Sequence, residues 1–372
     1  MATEYLSQGD YSLKDARLSP NNLLLDPHNP RLLTDFSDMR EVAEKHLHDP
    51  KLQDKIEKRL ARSEHKLPDL MEKIAAQGFM EMGVPIYVKE LAKGRSYLVL
   101  EGNRRTTAIK QLLREPQNLG KHARKTLEAI PVKVLDVAAH ANPDTVITAF
   151  LAELHINGTL DWGPLEKANF AYRDYCRRAG HGPLDTEEAY DPDAAAATAE
   201  VFHYKATEMK KAVMIAKVWI QLKRLDCPIK PTHFSLLDMC VKDTAVRESY
   251  LELDPVSLSL EDLGVEKIAD LIIGSKRRKP VVSNPTMFRQ FKTIAKEGTP
   301  ADIARAVDPD GPDLEKIYHR VRRAKKQNEG LERLENILDL MDRIKVRKLA
   351  GTTAERSVIK KIFERAEKLK RV

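Results

Sequence analysis

The sequence predicts an α+β amino-terminal domain followed by an all-α region, on three observations. Short β-forming runs with alternating apolar residues recur up to residue 136. One of them, Tyr97–Glu101 (YLVLE), runs into a glycine, two arginines and a helix-forming segment. From Asn142 onward nearly every segment has helical periodicity instead.

The elements can be justified in chain order. Strands are expected over residues 13 to 18, 23 to 25, 84 to 89, 96 to 101 and 131 to 136, with helices over 68 to 77 and 103 to 114. After the second strand comes LLLDPHNPRLL. There Pro27 and Pro30 stiffen the backbone, Asn29 can make a side-chain-to-backbone turn, and Arg31 is held at a defined exit angle. Residues 35 to 66 are charged and helical and read as an insertion; His46, His48 and His65 within it share no metal-ligand spacing with a carboxylate or thiol and read as surface residues. The helix over 68 to 77 ends at Gly78, and IPVKVLD forms the last strand before a polar turn at Asn142 and Pro143.

Pro164 suits the first turn of a helix that stops at Gly180. DAAAATAEVFH and TEMKKAVMIAKVWIQLK follow as two helices separated by the short turn YKA. That spacing fits a helix-turn-helix, and it also fits an ordinary helical hairpin. The second helix is read with Lys210, Lys211 and Lys217 outside an apolar stripe of Met209, Val213, Ala216 and Ile220. On a DNA-binding reading these lysines and Lys205 contact phosphate, while Thr207, Glu208 and Lys211 are placed to touch bases. Residues 231 to 312 read as a further helical bundle, interrupted by the basic loop GSKRRKPVVSNP. Beyond it, Leu331, Leu334, Leu338, Met341 and Ile344 repeat at spacings of three or four, as a coiled-coil seam or the packing face of a hairpin does. The hairpin is preferred because Gly351 and Thr352 break the run and Thr352 with Glu355 can form a capping box. The expected domains are therefore 1–140, 141–230, 231–312 and a basic hairpin over 313–372.

Composition sets the outer limits. The 372 residues, 42% hydrophobic and 32% charged, suffice for two or three domains with cores of their own. No run approaches the roughly 20 apolar residues that span a bilayer, and MATEYLSQGDYSLKD lacks the basic and apolar regions of a secretory signal, so a cytoplasmic protein without a membrane partner is expected. The net charge of +7 suggests a polyanionic partner without establishing one. Residues 184 to 200 carry six acids and no Lys or Arg, and the sign then reverses near residue 201. Cys176, Cys227 and Cys240 form no C-x-x-C or Cys/His spacing and read as inert thiols of a reducing compartment.

The stretch LEGNRRTTA, residues 100 to 108, carries the chemistry. Gly102 turns the backbone without a Cβ penalty, the first amides of the following helix are unpaired, and Arg104 and Arg105 add positive charge beside that helix start. A phosphate fits such a site; a turn with solvated cations is the alternative.

The order of segments resembles the N-terminal domain of the ParB/sulfiredoxin superfamily over roughly residues 12 to 175. An Asn-Pro-Arg box (Asn29, Pro30, Arg31) leads to a helix ending in Gly78 and a Pro-led strand, then to a strand running into Gly102, Asn103, Arg104 and Arg105. In ParB proteins the matching Gly-Glu-Arg-Arg box grips the phosphates of a nucleotide, and Asn103 stands where they have an acid. The resemblance implies a bound nucleoside triphosphate, CTP or ATP, contacted by Arg31, Arg104 and Arg105, with Thr106 and Thr107 supplying hydroxyls and amides. The ParB box Glu-Asn-x-x-Arg, whose acid and amide hold a metal, corresponds to AELHINGTLDWGPLEKA. This stretch keeps Glu153 but has Leu154 and Asn157 at the amide and arginine positions. Glu101 or Glu153 would then orient Mg²⁺, although one carboxylate is a thin first shell for a hard cation. Sulfiredoxin chemistry needs a cysteine in the Gly-x-x-Arg loop, and position 103 is Asn.

Three functions follow as expectations. The leading one is a ParB-like DNA-binding protein whose nucleotide site acts as a switch, with a homodimer implied by the resemblance. The enzymatic alternative is a nuclease or NTPase of a plasmid, phage or defence locus, for which Glu101, Glu153 and His155 are the available catalytic groups. The third is an adaptor with a degenerate pocket.

Overall fold

The computed structural model describes residues 11–32, 42–62, 67–79, 85–91, 95–116, 119–137, 143–157, 162–274, 279–308 and 311–346, together with 357, 360, 361 and 364. The chain forms two compact units, Met1–Lys292 and Thr293–Val372.

The first unit opens on a five-stranded mixed sheet. Its strands are β1 (Ser12–Leu18), β2 (Leu23–Leu25), β3 (Ile86–Glu90), β4 (Tyr97–Glu101) and β5 (Ile130–Asp136), in the order β1-β5-β3-β4-β2. β1 pairs antiparallel with β5 and β3 with β4, whereas β3 runs parallel to β5 and β2 parallel to β4. Burial alternates clearly in β3, where Ile86 and Val88 are buried and Tyr87 and Lys89 are not. One irregularity bears on function. Tyr87 pairs with Glu101 but Val88 pairs with Val99, so the register shifts beside Glu101 and the end of β4 is turned relative to its partner.

Among the described residues the helices α1 (Pro50–Leu60), α2 (Leu67–Gln77), α3 (Asn103–Arg114) and α4 (Lys121–Glu128) accompany the sheet. Leu67, Ile74, Ile109, Leu112 and Leu127 bury their side chains with Leu23, Ile86, Val88, Val99 and Val132 in one core. The charged stretch read as an insertion contributes α1, and α1 is built into the fold. Ile56 and Leu60 are buried with Leu25 and Leu32. Arg114 of α3 donates to both carboxylate oxygens of Glu57 at 2.5 and 2.8 Å, a bidentate pair.

The helical part of this unit comprises α5 (Pro143–Ala152), continued by a π-helical turn at Glu153–Asn157, α6 (Pro164–Ala179), α7 (Pro192–Val201), α8 (Ala206–Arg224), α9 (Phe234–Lys242), the short α10 (Thr244–Val246) with its own π turn at Arg247–Leu251, and α11 (Asp262–Ile272). α6 ends as its sequence predicts, with Gly180 in the left-handed region at φ 70°. Burial of α8 departs from the expected amphipathic pattern. Every residue from Ala212 to Leu222 is buried, because α6, α7, α9 and α11 pack around it. Lys217 is accordingly 1% exposed, and its ammonium donates to the carbonyls of Glu188 and Ser257, both at 2.7 Å. It is a buried tie between loops rather than a surface cation, and the expected phosphate contact at Lys217 is withdrawn.

α12 (Pro285–Glu297) carries the division between the two units. In the second unit α13 (Pro300–Val307) is followed by α14 (Leu314–Val346), a continuous helix of 33 residues. Leu314, Ile317 and Val321 are buried, whereas Leu331, Leu334 and Leu338 are exposed. The side chains of Met341 and Ile344, and the break with its capping box at residues 351 to 355, lie outside the described residues, as do residues 275 to 278 of the basic loop. No helix among the described residues is long and apolar enough to cross a membrane.

Candidate anion-binding site

The turn between β4 and α3 is forced by Gly102. Its φ of +100° is a conformation that side-chain-bearing residues rarely adopt, and a Cβ here would lie 2.8 Å from Cγ1 of Ile86. The first i→i−4 bond of α3 runs from the Thr106 N–H to the Gly102 carbonyl at 2.9 Å. The amides of residues 103 to 105 therefore precede the ladder, at the positive end of the helix dipole.

The proline-rich turn is fastened against this junction by side-chain amides. Asn103 is 3% exposed; its Oδ1 accepts the Asp26 N–H at 2.9 Å and its Nδ2 donates to the Val99 carbonyl at 2.9 Å. Within the turn, Asn29 Oδ1 accepts the Arg31 N–H at 3.1 Å and Asp26 Oδ1 accepts the His28 N–H at 2.8 Å. These bonds bring Asn29 and Arg31 to the start of α3. The result is a cleft of ≈ 210 Å³ lined by Asn29, Arg31, Leu70, Glu101 and the turn Gly102 to Arg105.

Electrostatics define what the cleft lacks. Burial lowers the pKa of Arg104, the neighbouring Arg31 charge lowers it further, and Glu101 offsets this only in part. Its Nε is buried and has no hydrogen-bond partner. Burial likewise lowers Arg105, against the attraction of Glu101 at 3.7 Å, while its Nη2 donates to the Pro85 carbonyl at 3.1 Å. Three guanidinium groups thus line a partly desolvated cleft whose described lining contains one carboxylate.

That carboxylate is itself engaged. Glu101 Oε2 lies 3.0 Å from Nε2 of His155, which is 2% exposed and stacked on Trp162 with ring centroids 3.7 Å apart. Burial acts to raise the Glu101 pKa, but the hydrogen bond and charge of His155, together with Arg105 and Arg31, outweigh it and hold the carboxyl below its ordinary value. Glu101 therefore stays ionised and accepts hydrogen bonds.

The structure distributes the other sequence-derived candidates unevenly. Thr106 and Thr107 are fully buried and do not line the cleft, so the hydroxyls expected to face a ligand are packed inside the domain. Asn103 lines the cleft but spends both ends of its amide on the backbone. Glu153 is 61% exposed, lies 3.3 Å from the His203 ring, and is not among the cleft residues. His155, in the π turn that follows α5, reaches Glu101, and Glu153 two residues earlier points to the other side. Leu70 was also missed, because nothing in α2 sets it apart from its neighbours before the helix is docked.

In the helical region Lys205, Thr207 and Lys210 are exposed and Lys211 is half-buried. Lys210 sits 5.5 Å from the centroid of the Tyr190 ring, and the Glu208 carboxylate accepts the Lys205 N–H at 2.8 Å at the start of α8. The first turns of α8 and its last two residues, Lys223 and Arg224, are open to solvent, and the stretch between them is not. Burial pushes the Cys176 thiol up to about 12 and also raises Cys240 and Cys227, which leaves no thiolate nucleophile among them. Among the described residues no cluster of three or more His, Cys, Asp or Glu could hold a metal ion. No family model, curated protein or solved structure matches this chain.

Proposed function

We propose that this is a ParB-like DNA-binding protein in which the amino-terminal cleft takes the phosphates of a nucleoside triphosphate and acts as a switch on the helical region. The observation that carries the reading is the convergence of Arg31, Arg104 and Arg105 on one cleft beside a helix start, where the carboxylate among the described lining residues, Glu101, is already held by His155. Desolvated guanidinium groups that outnumber the acids among the described lining residues gain strongly from a bound anion, and the amides at residues 103 to 105, ahead of the helix ladder, add directed donors. A protein-held Mg²⁺ does not fit this donor set, since both oxygens of Glu101 face His155 or Arg105. DNA would be held through Lys205, Lys210 and Lys211, with sequence-independent phosphate contacts and strong salt dependence.

Melting the protein with CTP, ATP and GTP, each with and without Mg²⁺, tests the reading, because a ligand that binds the folded state raises the melting temperature. A rise that disappears in Arg104→Ala is expected. An unchanged melting temperature with all three nucleotides removes the proposal.

The Glu101–His155 pair favours a second reading, a nucleotide or phosphodiester hydrolase with Glu101 as general base and His155 as its positioning partner. Turnover that is lost in Glu101→Gln while binding persists would establish it; binding without turnover favours the switch.

A further inference from the structure

The outer part of α14 presents an apolar stripe to solvent. Every residue from Arg322 to Asp339 is exposed, including Leu331 at 59%, Leu338 at 57% and Leu334 at 39%. A helical segment gains most of its stability from packing an apolar face, and Gly330 in the middle of this one weakens it further. With Met341 the three leucines repeat at spacings of three, four and three, the seam along which a second helix packs.

The chain carries a matching seam of its own. Ser357, Lys360, Lys361 and Glu364 are helical and exposed, and their spacing puts them on one side of a helix. Helical period then sets Ile359, Ile362, Ala366 and Leu369 on the opposite side, again at spacings of three, four and three. Run antiparallel, the two stripes would meet in four layers: Met341 with Ile359, Leu338 with Ile362, Leu334 with Ala366, and Leu331 with Leu369. All four pairs share one midpoint, residue 350. The connection is then residues 347 to 352, which follow the last residue of α14 and include Gly351, a length common between antiparallel helices.

Charge selects the occupant. Residues 329 to 342 hold Glu329, Glu332, Glu335, Asp339 and Asp342 against Arg333, a side-chain net charge of −4. Residues 353 to 372 hold seven Lys or Arg against Glu355, Glu364 and Glu367, a side-chain net charge of +4. Opposite charges flanking a seam favour pairing, whereas α14 of a second copy, set leucine to leucine, would bring −4 against −4. The short connection also gives the chain's own segment a high effective concentration at the stripe. We propose that the exposed stripe of α14 is the docking face for residues 353 to 372 of the same chain, closed as an antiparallel hairpin in this register.

Oxidative cross-linking of the full chain tests the docking. Leu331→Cys with Leu369→Cys puts two thiols in one layer, whereas Leu331→Cys with Ile359→Cys separates them by ten residues, about 15 Å along the helix axis. Cys176, Cys227 and Cys240 are common to both variants, and peptide mass analysis identifies the bond formed. The first pair is expected to close within one chain at least about tenfold faster than the second, because a disulfide needs its Cα atoms within about 7 Å. Equal rates would overturn the register, and a bond joining two chains would assign the stripe to a second copy and overturn the proposal.

Hydrogen exchange gives an answer that does not depend on the cysteine variants folding. In wild type the amides of residues 325 to 339 should exchange at least about tenfold more slowly than in Ile362→Glu, with no change over Met1–Lys292. Exchange over residues 325 to 339 as fast in wild type as in Ile362→Glu would equally overturn the docking.

Discussion

Gly102 and Glu101 adjoin in sequence and answer different demands. At Gly102 the demand is conformational: a methyl group would approach Ile86 at 2.8 Å in a backbone conformation with φ +100°. Gly102→Ala should cost roughly 1–3 kcal/mol of stability and weaken anion binding, because the helix amides would no longer be presented in place; urea unfolding and a tripolyphosphate titration read the two effects. At Glu101 the demand is electrostatic. Its folded carboxyl titrates below the ordinary value, against a burial effect, because His155 and two arginines favour the ion. A depressed acid contributes its stability above the unfolded pKa and loses it as the pH falls through the lower folded value. Wild type should therefore exceed Glu101→Gln in stability at neutral pH, with the difference vanishing in acid below the ordinary carboxylate range. A difference that persists unchanged in acid, in melting curves taken across that range, would contradict the pairing.

At the scale of elements, α8 is a central helix with an open beginning. Residues Ala212 to Leu222 are enclosed on every side, so no major groove could be laid along them. Lys217 belongs to that enclosed part, where its four-carbon stem packs and its ammonium ties down two loops. Lys217→Ala leaves a void and two carbonyls without a donor, and should lower stability by about 2–4 kcal/mol in denaturant. Lys205 and Lys210 stand at the open end. Replacing both by alanine should leave stability within about 0.5 kcal/mol and reduce the salt dependence of DNA binding by about one per lysine, as read by filter retention over a range of salt. The composition of the helix, with lysines spaced through apolar residues, fits either role; its neighbours settle which.

Across the Met1–Lys292 unit, the cleft and the helical region are joined at an identifiable contact. Arg173 of α6 donates from Nη1 to the His28 carbonyl at 3.2 Å, within the turn that carries Asn29 and Arg31. α6 in turn packs against α7 and α8. A ligand that orders the turn can thereby bias the helices, which is what a switch between two states requires. Arg173→Ala should retain anion binding, with amide-exchange protection still appearing at the turn, but lose the ligand-dependent slowing of exchange in α6 and α8. Exchange mass spectrometry with and without tripolyphosphate would show this, and equal slowing in both proteins would exclude coupling through this arginine.

Period and punctuation carried much of the fold into view before any coordinates. β-forming runs placed the five strands, Gly78 and Gly180 marked two helix ends, and Gly102 with its arginines marked the cleft, because these signals arise from local backbone sterics and side-chain propensity. Arg31, Arg104 and Arg105 were legible for the same reason, as exposed-type residues held at stiff turns. The rest depended on which surfaces meet. Burial of Thr106, Thr107 and Lys217, the commitment of Asn103 to Asp26 and Val99, and the substitution of His155 for Glu153 all come from contacts between segments far apart in the chain. Such contacts obey packing and hydrogen-bond satisfaction over the whole unit, and neither leaves a repeating mark along the sequence.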